Sequence, residues 1–160
     1  MRSVLRGLAV ALVALVALAC EPKYNGAVVA DVTPTGWSAD EVIQLRFPNL
    51  DTLAKRSVWV VARAEADHAY KPLRVEVGCM APDSTELRGS VELRPTKHRG
   101  GSFVELRGLW IEDAVPTTKG DYLFRISHSE EEPIEGVWNV GVELVPTGTP
   151  SVLGSGAEDC

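Results

Sequence analysis

The sequence is poor in the residues that usually carry chemistry. Its 160 residues include only three cysteines and three histidines, and 6% of them are aromatic. The histidines, His68, His98 and His128, are far apart and have no neighbours at the spacing of metal ligands. No G-x-S-x-G, H-E-x-x-H, P-loop or C-x-x-C motif occurs. We therefore expect no enzymatic activity, no cofactor and no metal site.

Basic residues are also scarce. The chain has 16 Lys and Arg against 22 Asp and Glu, which gives a net charge of −6. Removing Arg2 and Arg6, which precede an apolar run, lowers the basic count from 16 to 14 and leaves a charge of −8. Nucleic-acid phosphates and anionic headgroups repel such a chain. We expect neither a nucleic-acid partner nor an electrostatic attachment to membranes.

The first twenty residues have the pattern of an export signal. Arg2 and Arg6 are followed over residues 7–19 by a run built mostly of Ala, Val and Leu, which ends in Ala17-Leu18-Ala19-Cys20. This order is typical of secretory signals, and the run is shorter than the roughly 20 residues of a membrane-spanning helix. We predict that residues 1–19 are a lipoprotein signal peptide and that Cys20 is lipidated. The alternative is an ordinary cleavage site that releases a soluble periplasmic protein.

Lipidation of Cys20 has consequences for location and for the other cysteines. Two or more acyl chains hold a protein stably on a membrane, so we expect a periplasm-facing envelope protein, on either the inner or the outer membrane. Cys79 and Cys160 remain, and they either pair in the oxidising periplasm or stay apart. The apolar strand position of Cys79 favours a buried free thiol.

Alternation of apolar and polar residues dominates residues 36–146 and is typical of β-strands. Turn-forming residues separate the alternating runs. We predict an all-β domain, an antiparallel two-sheet β-sandwich of the immunoglobulin or fibronectin type with about seven strands. Residues 38–41 have a capping-box pattern and predict at most one helical turn. The runs begin near Ile43, Val58, Leu73, Val91, Ser102, Tyr122 and Trp138.

The segments on either side of this domain differ from it in composition. We interpret residues 20–35 as the lipidated cysteine and a tether. Residues 147–160 are rich in Gly, Pro and Ser, which bury too little apolar surface to order themselves, and they predict a flexible C-terminal tail. The segment Ser129-Glu130-Glu131-Glu132-Pro133 is interpreted as a solvated hairpin tip, because its carboxylates lack the spacing of a calcium-binding loop.

Aromatic residues are the main candidates for binding a partner. Trp59, Trp110 and Trp138 lie in strand-like runs and are predicted to be in the core. Trp37 precedes the first clear strand, and is either an exposed anchor for a partner or a lid over the sandwich end, which we favour. Tyr70 is the second candidate for partner binding. Two interpretations of Tyr122 are open, a tyrosine corner or an ordinary core tyrosine.

Four segments occur in an order that points to one family. They are the signal ending at Cys20, Gly36-Trp37-Ser38-Ala-Asp40 running into a strand, residues 62–73 with Arg63 and Tyr70, and the pair Gly120-Asp-Tyr122-Leu-Phe-Arg-Ile-Ser-His128 and Gly136-Val-Trp-Asn-Val140-Gly141. Together they resemble the gliding-motility lipoproteins of the GldH type. His68 and Pro72 depart from the family pattern, and residues 85–117 match it poorly.

The resemblance implies a non-enzymatic role. It implies an accessory component of the gliding machinery, or of the secretion apparatus linked to it, which is anchored through Cys20 and binds other envelope proteins. The alternative is a lipid-anchored module that binds a glycan or peptide ligand through aromatic residues such as Trp37 and Tyr70.

Overall fold

The computed structural model describes residues 26–66, 72–96 and 101–147. These residues form strands and, within the described ranges, no helix, which confirms the all-β prediction. The eight strands are β1 (Gly26–Asp31), β2 (Ile43–Asn49), β3 (Arg56–Glu65), β4 (Leu73–Met80), β5 (Glu86–Pro95), β6 (Phe103–Ala114), β7 (Gly120–Ser127) and β8 (Val137–Pro146).

The strands form one hydrogen-bonded sheet with the order β1-β8-β3-β6-β5-β4-β7-β2, and neighbouring strands are antiparallel. Two four-stranded ladders, β1-β8-β3-β6 and β5-β4-β7-β2, are joined by a short pairing of Arg94 with Arg107 and of Pro95 with Leu106. The two edge strands, β1 and β2, also approach each other, so the sheet is nearly closed. The predicted seven-stranded sandwich of two separate sheets is not confirmed. The structure has eight strands, and β5, at the edge of the second ladder, also pairs with β6 of the first.

The apolar positions of the alternating runs form the core. In β2, Ile43, Leu45 and Phe47 are buried while Gln44 and Arg46 are exposed. The same alternation in the other strands gives each ladder one apolar face, and burying these faces together is the main driving force for folding. The largest apolar side chains with almost no exposed surface are Trp37, Val60, Val75, Leu93, Ile126, Val140 and Val142.

The predicted tether over residues 20–35 is wrong in its second half. Residues 26–31 form β1, which pairs with β8 from Gly26 opposite Leu144 to Asp31 opposite Asn139. β1 can lie this close because Gly141 has no side chain, and a Cβ atom there would collide with the Val28 carbonyl oxygen. Residues 26–31 therefore belong to the folded domain and not to a tether. The signal peptide, Cys20 and residues 148–160 of the predicted tail lie outside the described residues.

The core prediction fails for two of the three strand tryptophans, Trp59 and Trp138. Trp138 is 40% exposed, because β8 changes register at this point. Arg63 pairs with Asn139 but Ala64 pairs with Val137, so Trp138 is an extra residue and Val137 takes the buried position. Trp59 is half-buried on the outer face of β3, because Val58 and Val60 take the inward positions on either side of it. Trp110 is half-buried and packs against the core.

Two local predictions agree with the structure. The backbone N–H of Thr118 donates a hydrogen bond to the Tyr122 hydroxyl at 3.4 Å, which is the bond to upstream backbone that defines a tyrosine corner. Residues 38–41 form a single turn, in which the Glu41 N–H donates to the Ser38 carbonyl oxygen at 3.0 Å. Within the described ranges, no helix has the length and hydropathy that a membrane span requires.

Candidate functional site

Trp37 is a lid residue and not an exposed anchor. Its side chain has 0% exposure, and its backbone exchanges two hydrogen bonds with Ile134, at 2.9 and 2.8 Å. The indole Nε1 donates to the Glu41 carbonyl oxygen at 2.8 Å. The anchor interpretation is wrong because the indole has no surface left to offer a partner.

Several other candidates from the sequence cannot be placed. Cys20, Tyr70, His68 and His98 lie outside the described residues, so the lipidation of Cys20 and the binding role of Tyr70 stay predictions. The segment 129–133, which contains Glu130, Glu131 and Glu132, is exposed as predicted. It is not a hairpin tip, because β7 and β8 do not pair with each other and the segment crosses from one ladder to the other. Among the residues that the structure describes, no group of His, Cys, Asp and Glu could hold a metal ion.

Cys79 is a free, buried thiol on β4. Burial raises its pKa to about 11, because the thiolate would lose its hydration in an apolar environment. The thiol is therefore protonated and unreactive at neutral pH. The second candidate for a disulfide, Cys160, lies outside the described residues.

The loops 50–55, 81–85 and 115–119 meet at one end of the domain, which we call the loop end. Asn49 Nδ2 donates to the carbonyl oxygens of Pro116 and Thr118, at 3.3 and 3.0 Å, and so joins the first loop to the third. The Thr118 hydroxyl lies 3.5 Å from a carboxylate oxygen of Asp83 in the second loop. The N-terminus of β1 and the C-terminus of β8 are at the same end, since Gly26 pairs with Leu144.

A cavity of about 210 Å³ lies between the two ladders at the loop end. Asn49 and Arg56 border it and are 1% and 9% exposed. Asn49 Oδ1 and Arg56 Nε have no hydrogen-bond partner within the described residues. An unpaired buried polar group costs about 1–3 kcal/mol, so the polar side of this cavity suits water or a polar ligand group. The apolar side of the cavity is formed by Phe47, Val58, Trp110, Phe124 and Leu144.

Apolar side chains also project from the loop end. Leu50 and Leu53 are 71% and 87% exposed. Asp51, between them, accepts hydrogen bonds from the backbone N–H groups of Leu53 and Ala54, at 2.9 and 3.2 Å. These two bonds are the main reason why the pKa of Asp51 is lowered, and the nearby Arg56 lowers it further. The loop is thus held in a shape that exposes both leucines.

The outer face of the β1-β8-β3-β6 ladder carries a second group of unusual residues. We call this group the aromatic face; it consists of Trp59, Arg63, Phe103, Arg107 and Trp138. The Arg63 guanidinium lies over the Phe103 ring, with its Cζ atom 5.0 Å from the ring centroid. The rings of Phe103 and Trp138 are 5.8 Å apart. Phe103 and Trp138 are about 40% exposed, so part of this cluster faces solvent.

Arg107 is buried on the same face. Its Cζ atom is 5.0 Å from the centroid of the Trp59 ring, and its side chain is only 6% exposed. One guanidinium nitrogen bonds to the Glu143 carboxylate, and Nε lies 3.6 Å from Glu105 Oε1. Burial raises the pKa of Glu105, and the charge of Arg107 opposes this effect. The result is a rigid cation held between two carboxylates and an indole.

The sequence could not identify the aromatic face or the cavity. Arg107 and Glu143 are 36 residues apart, and Asn49 is 67 residues from Pro116. Arg107 also occupies an outward strand position, where an arginine is ordinarily a solvated residue. No protein-family model matches the chain, and no curated protein is significantly similar to it.

Proposed function

We propose that this chain is a non-enzymatic envelope lipoprotein that binds other envelope proteins, as an accessory component of the gliding machinery or of its linked secretion apparatus. The observation that carries the proposal is the aromatic face. Trp and Arg are enriched among the residues that dominate binding energy in protein interfaces. The face offers Phe103 and Trp138 for burial by a partner, and the exposed Arg63, whose guanidinium lies over the Phe103 ring, as a cation.

The fold supports this role. We propose that the two ladders are the layers of an immunoglobulin-like or fibronectin-like sandwich, joined at one corner through β5. In such an arrangement the inner faces form the core and the outer faces are free for partners. The anchor is supported by the signal pattern that ends at Cys20, and the link to gliding by the four segments that resemble GldH-type lipoproteins.

The proposal is tested by affinity purification of the lipidated full chain from envelope fractions. We expect specific envelope proteins to accompany the wild type and to be lost from the double variant Phe103→Ala, Trp138→Ala. The variant Leu123→Ala is the matched control, because Leu123 is 41% exposed but lies on the other ladder. Equal recovery of the same proteins with all three forms would contradict a role for the aromatic face.

The link to motility needs a separate test in a gliding host. Deletion of the gene, or Cys20→Ala, should impair surface spreading or protein secretion. Normal spreading and secretion in both strains would contradict the proposed role in gliding. The role of the aromatic face in binding a partner would still be tested by the affinity purification.

A second candidate function is binding of a small ligand. The cavity at the loop end favours it, since it combines apolar walls with the unpaired Asn49 Oδ1 and Arg56 Nε. Asn49 Oδ1 and Arg56 Nε would hydrogen-bond to a polar group of the ligand. This site differs from the aromatic site that the sequence predicts at Trp37 and Tyr70. A glycan array and a peptide array with the full chain test this function, and binding that Asn49→Leu abolishes would favour it over the aromatic-face proposal.

A further inference from the structure

The chain enters the domain at the loop end. Gly26, the first residue of β1, pairs with Leu144, which borders the cavity. It also lies so close to the Phe47 ring that a Cβ atom on Gly26 would collide with it. Cys20 is six residues earlier in the sequence, and six extended residues span at most about 20–22 Å.

The length of this segment decides which end of the domain lies near the anchor. β3 alone has ten residues, so it spans about 33 Å at the rise of a β-strand. A lipid on Cys20 can therefore reach a bilayer beside the loop end but cannot hold the opposite end against it. That opposite end bears the exposed acidic segment 129–133, which suits water.

The loop end exposes apolar and basic side chains, together with the carboxylates of Asp51 and Asp83. Several of the exposed large apolar residues lie at this end, namely Leu50, Leu53, Leu87 and Val115. Exposed apolar groups of this kind mark interaction sites. Lys55 and Lys119 are exposed on the same loops, and long basic side chains place their charge at the headgroup level while their stems cover apolar surface.

We propose that the loop end lies on the lipid bilayer, with Leu50 and Leu53 inserted at the boundary between headgroups and acyl chains. The inference rests on the proposed anchor at Cys20, which delivers this end to the membrane. The partner is the lipid surface itself, because the anchor is already inserted in it and lies within reach. Insertion is driven by the apolar side chains, so anionic lipid is not required.

The direct test uses an environment-sensitive fluorophore on the lipidated full chain in phosphatidylcholine vesicles. The label is attached at Leu53→Cys in a Cys160→Ser background, where the buried Cys79 thiol does not react. The control label is at Glu131→Cys, on the exposed segment of the opposite end. We expect blue-shifted emission, quenched by bilayer-borne spin labels, at position 53 and water-like emission at position 131. Water-like emission at both positions would overturn the proposal.

A second test does not depend on lipidation. The mature chain beginning at residue 20, with Cys20→Ala, is sedimented with phosphatidylcholine vesicles over a range of lipid concentrations, so that neither a lipid nor the apolar run of residues 7–19 contributes to binding. Adding Leu50→Ser and Leu53→Ser should weaken the partition at least about tenfold, given the apolar area that two leucines remove from water, whereas adding Leu123→Ser should leave it unchanged. Equal partition of the chain with and without the Leu50→Ser and Leu53→Ser substitutions would contradict insertion of these two leucines into the bilayer.

The two tests separate the possible failures. If Cys20 carries no lipid but Leu50 and Leu53 support vesicle binding, then the anchor is wrong and the membrane contact stands. If Cys20 is lipidated but position 53 remains in water, then the anchor stands and the proposed orientation is wrong.

Discussion

The indole of Trp37 packs edge-on against the imidazole of His128, with the ring centroids 4.7 Å apart. His128 Nε2 lies 3.0 Å from the Trp37 carbonyl oxygen, and the Glu130 N–H donates to His128 Nδ1 at 3.2 Å. Both hydrogen bonds form together only when the imidazole is neutral with its proton on Nε2. The pair joins the segment before β2 to the loop after β7, and so closes the end of the domain opposite the loop end.

Loss of the Trp37 ring should therefore be costly. Trp37→Ala is expected to lower the free energy of unfolding by about 3–5 kcal/mol, the range for large aromatic side chains in a core. The measurement is urea unfolding followed by circular dichroism. Trp138→Ala is the matched control and should cost less than about 1 kcal/mol, because its ring is partly exposed. Similar losses for both variants would contradict the lid role of Trp37.

The buried cation of the aromatic face gives a second prediction. Arg107→Ala should destabilise the domain by about 3–5 kcal/mol, since it leaves Glu105 and Glu143 without their cation. Arg88→Ala removes an ion pair with Glu86 in which the arginine side chain is 75% exposed, and should cost at most about 1 kcal/mol. Thermal unfolding of both variants checks the difference. An Arg107→Ala protein as stable as the control would show that the cluster is not a rigid unit.

The close approach of β1 to β8 gives a third prediction. A Cβ atom on Gly141 would collide with the Val28 carbonyl oxygen, whereas one on Gly78 would have the Leu87 carbonyl oxygen at 3.9 Å as its nearest neighbour. Gly141→Ala should therefore cost about 1–3 kcal/mol and speed hydrogen exchange in β1, while Gly78→Ala should be tolerated. Unchanged exchange in Gly141→Ala would mean that β1 is not held in this register.

The buried thiol makes stability depend on pH in the alkaline range. The pKa of Cys79 is raised from 9.0 to about 11 in the folded protein, so its contribution to stability is complete below pH 9 and is lost as the pH rises towards 11. Relative to Cys79→Ala, the Cys160→Ser protein should lose about 2 kcal/mol over this interval. Parallel stability curves for the two proteins would show that the thiol is not desolvated.

Period-two alternation locates six of the eight strands, and a seventh, β6, is predicted within residues 102–111, where the alternation has no clear phase. It succeeded for β2 and β4 because each has one face in the core and one in water, so the pattern is local. It missed β1, because Gly26–Asp31 is held by its pairing with β8 and its small residues alternate weakly in polarity. It also misplaced Trp138, since a β-bulge shifts the inward phase by one residue.

Closure of the sheet and the two candidate surfaces depend on contacts between distant residues. The pairing of β5 with β6 involves two residue pairs, which leave no periodic pattern in the sequence. Arg56 and Arg107 look like ordinary charged strand residues, and only the assembled structure shows that both are buried. The lipidation of Cys20, in contrast, can be predicted from the sequence, because the signal for it lies in the adjacent residues and requires no tertiary contact.

The proposed location and orientation of the domain both depend on a lipid attached to Cys20, a few residues before β1. The most direct measurement is mass spectrometry of the N-terminal peptide of the protein purified from envelope fractions. We predict a peptide that begins at Cys20 and carries the mass of a diacylglyceryl group with an additional N-acyl chain. A peptide with an unmodified Cys20, or with residues 1–19 still attached, would contradict the lipid anchor at Cys20.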